Sequence, residues 1–188
     1  TGTIEGDGWV IEIEDMKKPI AGMIIHIGEV VEGNPKVNDD VIASVDLARR
    51  QDIKRHHTGT HLLHAALRNT LGKHVQQRGS LVAPDRLRFD FSHDEKVSDA
   101  ALSQIERDIN AIILENYSVE NDVKSLDEAK ADGAMALFGE KYGDTVRTVI
   151  VDNGADRYSY ELCGGTHVSE TAEIGAFVFT GESSVSAG

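Results

Sequence analysis

The chain has 188 residues, 40% of them hydrophobic, enough to bury a core in one large domain or two small ones; global disorder is excluded. It holds no run of about 18 apolar residues, it starts at Thr1-Gly2-Thr3 without an initiator Met or a signal-peptide pattern, and its one cysteine, Cys163, excludes an internal disulfide. The expectation is a soluble, cytoplasmic protein with no membrane partner, beginning mid-chain as an excised fragment would. The formal net charge of −13 argues against a polyanionic partner, but it is unevenly spread. Between Leu47 and Phe91 nine basic residues stand against three acidic ones, whereas the remainder carries 10 basic and 29 acidic residues. The basic stretch reads either as a solvated face or as a surface for nucleic acid.

In chain order, the first 46 residues read as short strands with turns between them. Trp9 to Ile13 alternates, Met23 to Ile27 is apolar, and Val41 to Val45 follows the turn-rich Glu32-Gly33-Asn34-Pro35. This pattern predicts a small β-barrel, or part of one, over residues 1–50. From Gln51 the period changes to three- and four-residue steps through Ile53, His57, Thr60, His61, His64, Leu67, Arg68 and Leu71, with Gly72 as a stop. A helix over 51–71 follows. Strands are expected at 74–82 and 87–91, then a second helix capped by Ser98, with Ala101, Leu102, Ile105, Ile109, Ile112 and Ile113 as its buried stripe. Further strands are expected near 119–124, 146–152, 158–162 and 176–180, with a short helix near 126–131. Residues 51–188 thus read as a second domain. The fold class is α+β, a small barrel followed by helices covering one face of a mainly antiparallel sheet.

The chemistry lies in two pairs of residues. His57 and His61 are four apart on the predicted helix, so their side chains share a face about 5–6 Å apart at Cβ. Cys163-Gly164-Gly165-Thr166-His167 repeats that spacing, and its two glycines suit a tight loop that folds a thiolate and an imidazole toward one point. Three imidazoles and one thiolate suit tetrahedral zinc. His64, three residues from His61, competes with His57 for a place in the set, and His56 points about 100° away from His57. Thr58, Gly59 and Thr60 separate the helical histidines where a zinc protease helix would carry a glutamate, so peptide hydrolysis is not expected.

Several ordered segments, taken together, closely resemble the editing region of alanyl-tRNA synthetases. They are Arg55-His56-His57-Thr58-Gly59-Thr60-His61-Leu62-Leu63-His64, Gln77-Arg78-Gly79-Ser80-Leu81-Val82, Leu87-Arg88-Phe89-Asp90-Phe91, the segment from Gly133 to Gly143, and Glu161-Leu162-Cys163-Gly164-Gly165-Thr166-His167. The zinc motifs are also similar to those of freestanding AlaX editing proteins and, less closely, of threonyl-tRNA synthetase editing domains. Where the family often shows Asn-His-Ser-Ala-Thr-His, this chain has His56-His57-Thr58-Gly59-Thr60-His61.

The resemblance implies that His57, His61, Cys163 and His167 hold Zn2+. It further implies that Thr60, Gln77 and Ser80 line an amino-acid pocket, with Arg78, Gly164 and Gly165 also touching substrate and with Gln77 and Thr60 nearest the chemistry. The implied reaction is hydrolysis of the ester joining serine or glycine to alanine tRNA. The implied partners are that tRNA's mischarged 3′ end and the rest of a synthetase chain, including its ATP-using aminoacylation domain. An editing site is needed because one methyl group discriminates by only about 1–3 kcal/mol. Four protein ligands suit a structural zinc, whereas a catalytic zinc usually keeps a position open. Zinc as anchor and zinc as catalyst therefore both remain open. So do a freestanding editing protein, a zinc module that binds tRNA without catalysis, and a zinc hydrolase of another small ester.

Overall fold

The computed structural model describes residues 1–20, 22–136 and 142–184. The chain divides into two compact units, Thr1–Gln51 and Asp52–Gly188. The first is an antiparallel sheet of β1 (Gly2–Gly6), β2 (Trp9–Lys17), β3 (Ile25–Glu32) and β4 (Ile42–Val45), in the order β3-β2-β1-β4. With β3 and β4 at its edges the sheet is open, part of a barrel and not a closed one. Strand β1 was not anticipated, because only Thr3-Ile4-Glu5 separates its terminal glycines. The Asp7-Gly8 turn nevertheless pairs Gly6 with Trp9, and Gly8 takes φ 75°. Trp9 is the buried anchor of this unit, its Nε1 donating to Asp39 Oδ2 at 2.9 Å. Glycine is required at positions 6 and 33, where a Cβ would collide with Trp9. The apolar Met23-to-Ile27 expectation is corrected to β3, which begins at Ile25 and runs on to Glu32.

The second unit is organised on α1 (Leu47–Leu71), which begins four residues earlier than expected because Asp46 caps it, accepting the Arg49 N–H at 3.0 Å. From Thr58 to Leu67 this helix is buried on nearly every side, so polar Thr58, Thr60, His61 and His64 lie inside the protein beside Leu62, Leu63, Ala66 and Leu67. β5 (Gln77–Val82) and β6 (Leu87–Phe91) form a hairpin. α2 (Asp99–Leu114) starts from the expected cap, Ser98 Oγ accepting the Ala101 N–H at 3.2 Å, and buries Ile105, Ile109, Ile112 and Ile113.

β7 (Ser118–Ser125), β8 (Thr145–Asp152) and β9 (Arg157–Leu162) form an antiparallel sheet in that order, and α3 (Leu126–Ala131) carries a Ser125/Glu128 capping box. Strand alternation sends Val149 and Val151 into the core shared with α1 and α2. Val146, Tyr160 and Leu162 point to the opposite side, against Ala129 of α3. The long helices therefore cover one face of the sheet and the short helix lies on the other.

The strand expected at 176–180 does not form. Its backbone is satisfied by α2 side chains: Asn110 accepts the Phe177 N–H at 2.9 Å and donates to the Phe177 carbonyl at 2.8 Å, and Glu106 accepts the Phe179 N–H at 2.7 Å. A segment whose polar groups are already paired to a helix has no need of a ladder. A short 3₁₀ turn at Thr171–Ile174 was also unanticipated.

Candidate metal centre and cavity

Helix and strand periodicities converge at one end of the second unit. On α1, the four-residue step places His57 and His61 on one face, and their rings stack with centroids 5.5 Å apart. On β9, the two-residue step places Ser159, Glu161 and Cys163 on the sheet face toward α1, and the loop after Cys163 returns His167 to the same point. One nitrogen or sulfur atom from each of His57, His61, Cys163 and His167 lies within 4.8 Å of the others. The Nε2 atoms of His61 and His167 are buried with no hydrogen-bond partner among the described residues. Unsatisfied imidazole nitrogens aimed at a thiol are costly unless a cation takes them. The donor set therefore fits a metal ion.

The surrounding residues fix which nitrogen faces inward. Glu161, fully buried, lies 2.8 Å from His61 Nδ1 and 2.9 Å from His64 Nδ1, so with protons on both Nδ1 atoms it accepts from the two rings and leaves His61 Nε2 as the ligand. Thr58 Oγ1 does the same for His167, lying 3.2 Å from its Nδ1 while accepting the Val168 N–H at 3.2 Å. His64 is thus a partner of Glu161 and not a fifth member of the cluster, and His56 lines a different concavity.

Charge is strongly organised here. Burial alone would raise the Glu161 carboxyl, but the charge of His61 and hydrogen bonds from His61 and His64 hold it down at about 2. Burial likewise opposes ionisation of Cys163, yet the imidazoles of His167, His57 and His61 that face it bring the thiol down to about 3. Burial would lower His61, but Glu161 and Cys163 raise it to about 10, whereas burial takes His167 down to about 4. Buried Glu161 and half-buried Cys163 thus call for positive charge at the centre, which a proton on His61 supplies and which a metal ion would supply more strongly.

The two loop glycines differ in their surroundings. A Cβ at 165 would enter the His57 ring, whereas one at 164 would meet nothing within 4 Å. Mid-helix Gly59 likewise has a packing reason, since a Cβ there would stand only 3.2 Å from Leu87 Cδ2.

Beside the cluster opens a cavity of about 460 Å³. His57, Thr60, His61, Gln77, Ser80 and Arg147 contribute to its wall, as do Cys163 and Gly164. Gln77 and Ser80 would lie on opposite faces of a regular strand, three residues apart. A bulge at Arg78 changes the parity: Gln77 pairs with Phe91 and Ser80 with Phe89, which places both on one face. Thr60 Oγ1 donates to the His57 carbonyl at 2.7 Å, which directs its lone pairs elsewhere.

Arg78 is exposed and lines the broader concavity with Arg88, Phe89 and Phe177, and Gly165 touches His57 without lining the cavity. Of the basic stretch, Arg55, Arg86 and Arg88 pair with Asp52, Asp85 and Asp90, and Arg68 donates to the Lys73 and Val75 carbonyls. Much of its charge is therefore locally neutralised. Residues 137–141 of the Gly133-to-Gly143 segment lie outside the described residues.

Sequence reading gave no role to Glu161 or Arg147. Glu161 was accessible to it, two residues before Cys163 on an expected strand; Arg147 was not, because only sheet register brings it beside Cys163.

Fold and cluster together define an α+β protein with a partly buried three-histidine, one-cysteine centre beside a polar cavity. Residues 146–188 match the family model described as threonyl and alanyl tRNA synthetase second additional domain. Along its full length the chain is similar to alanine–tRNA ligases, 50% identical to that of Chelativorans sp. (strain BNC1) and 47% identical to that of Chloroflexus aurantiacus. Each match covers 100% of this chain and 22% of the relative, so the chain spans about a fifth of the length of the curated relatives it matches. The resemblance read from the motifs is thereby borne out. No helix among the described residues is long and apolar enough to cross a membrane.

Proposed function

We propose that this chain is the editing region of an alanine–tRNA ligase and hydrolyses the ester of alanine tRNA mischarged with serine or glycine. Residues 1–50 would form a small domain built on part of a barrel and 51–188 the editing domain. The carrying observation is the cavity in which Gln77, Thr60 and Ser80 stand beside the four clustered donors.

Zinc held by His57, His61, Cys163 and His167 would supply Lewis-acid polarisation and a fixed point for the substrate amino group. The chain's own residues then sort the substrate. Thr60, its proton committed to the His57 carbonyl, is an acceptor for a serine hydroxyl, and the Gln77 amide offers a donor and an acceptor to that hydroxyl or to the ester. Polar groups of this kind discriminate more steeply than a methyl-sized pocket does.

A filled four-ligand set also favours a second reading, a structural zinc module that binds tRNA without turnover. Deacylation of serine-charged alanine tRNA, with and without chelator, separates them. Turnover lost on chelation and restored by zinc supports editing; binding without turnover at any zinc level rejects it. Attack on small esters with no response to tRNA would instead indicate a general esterase.

A further inference from the structure

Arg147 of β8 has no part in the reading above, yet it stands on the cavity wall across the ladder from Cys163, whose N–H donates to the Arg147 carbonyl at 3.0 Å. Register places its side chain on the sheet face that carries Val149 and Glu161. The half-buried guanidinium is held from two directions: Nη1 donates to the Gly165 carbonyl, and Nη2 donates to Asn121 Oδ1 at 2.6 Å. Asn121 is exposed, so the second bond draws the group to the rim of the cavity, away from buried Thr58, His61 and His167.

Those bonds use two of the five N–H groups that a guanidinium offers in a rigid fork matched to phosphate oxygens. Arg147 is also the only lysine or arginine among the described residues lining this cavity, in a chain of formal net charge −13. Among the described residues, an anionic substrate therefore meets Arg147 as the one lysine or arginine side chain on that wall, beside the imidazoles of the donor cluster.

We propose that Arg147 binds the phosphate of the nucleotide bearing the aminoacyl ester, holding it at the rim while the ester reaches inward toward Thr60 and Gln77. This rests on the editing reading above. A competing account is that Arg147 only braces the Cys163–His167 loop, and the two differ in whether the substrate's phosphate matters.

The test compares hydrolysis of 2′(3′)-O-seryl-adenosine with that of its 5′-monophosphate, together with inhibition of seryl-tRNA deacylation by adenosine and by adenosine 5′-monophosphate. The wild type is expected to show a KM about tenfold lower for the phosphorylated ester at low salt, the size of one charge-assisted contact, with kcat little changed. Arg147→Gln should bring the KM values of the two esters together while keeping zinc content, and Arg147→Lys should restore part of the difference. Equal KM for the two esters in the wild type, or equal inhibition by adenosine and its 5′-monophosphate, overturns the proposal however the variants fold. Equal losses on both esters in Arg147→Gln, or loss of zinc, assign Arg147 to the brace. A wild type that hydrolyses neither ester nor seryl-tRNA removes the editing reading itself, and the phosphate site with it.

Discussion

Glu161 shows how much one buried carboxylate can organise. It orients two imidazoles, and a glutamine in its place would present an amide N–H₂ to one Nδ1–H with no acceptor for it. Glu161→Gln is therefore expected to keep the fold but weaken zinc binding by about 10–100-fold, read by competition with a chromophoric chelator. Unchanged affinity would show that the ligand geometry is set elsewhere. Gln77 separates chemistry from metal binding, because it lines the cavity without belonging to the donor cluster. Gln77→Ala should retain zinc and slow serine deacylation about tenfold or more, the loss of a transition-state hydrogen bond of roughly 1.4 kcal/mol. Exposed Gln76, just before β5, should tolerate the same change. Similar slowing at both positions would reject the assigned role.

The Cys163–His167 loop and the 177–179 segment are each held by packing that a single substitution can break. Gly165→Ala drives a methyl group into the His57 ring, whereas Gly164→Ala meets open space. Zinc content should fall in the first variant and hold in the second; retention in both would mean that the loop yields without cost. Asn110 replaces a strand partner for Phe177 on both its donor and its acceptor. Asn110→Ala, which leaves those two groups unpaired, should lower stability by about 1–3 kcal/mol in denaturant unfolding, with no change in zinc stoichiometry. A midpoint unmoved by the change would place the anchoring of this segment in Phe177 itself.

The donor cluster ties α1 to the loop after β9, residues about a hundred positions apart, so metal binding and stability of residues 52–188 should be linked. One zinc per chain is expected, and chelation should lower the melting temperature reversibly; an unchanged melting curve would reject the linkage. In the metal-free protein, acid provides an internal probe. Glu161 has a folded value near 2 against an ordinary 4.5, so its contribution to stability is fully present above about 4.5 and is lost as pH falls toward 2. His61, raised from 6.5 to about 10 mainly by Glu161, sets the upper side, so the difference in melting temperature between metal-free wild type and Glu161→Gln should be largest between about pH 4.5 and 6.5, close below that window and shrink toward pH 10. A gap independent of pH would mean that the variant acts through packing.

The sequence by itself determined what short-range rules control. Three- and four-residue steps marked α1 and the stripe of α2, Ser98 marked a cap that forms, and alternation marked β6, β8 and β9. Equal spacing of His57/His61 and Cys163/His167 singled out the four residues whose donor atoms the fold brings within 4.8 Å. Tertiary structure decided whatever depends on a partner distant in the chain. Residues 176–180 have strand-like composition, yet Asn110 and Glu106 took their hydrogen bonds first. Period alone does not say that the polar residues of α1 are buried; Glu161 accepts from the Nδ1 atoms of His61 and His64, and Thr58 pairs with His167, so these groups enter the interior. Gln77 and Ser80 share a face only because a bulge at Arg78 shifts the register, and Arg147 meets Cys163 only across a ladder. Periodicity records which face of its own element a side chain occupies; what that face meets is fixed only when distant elements pack against it.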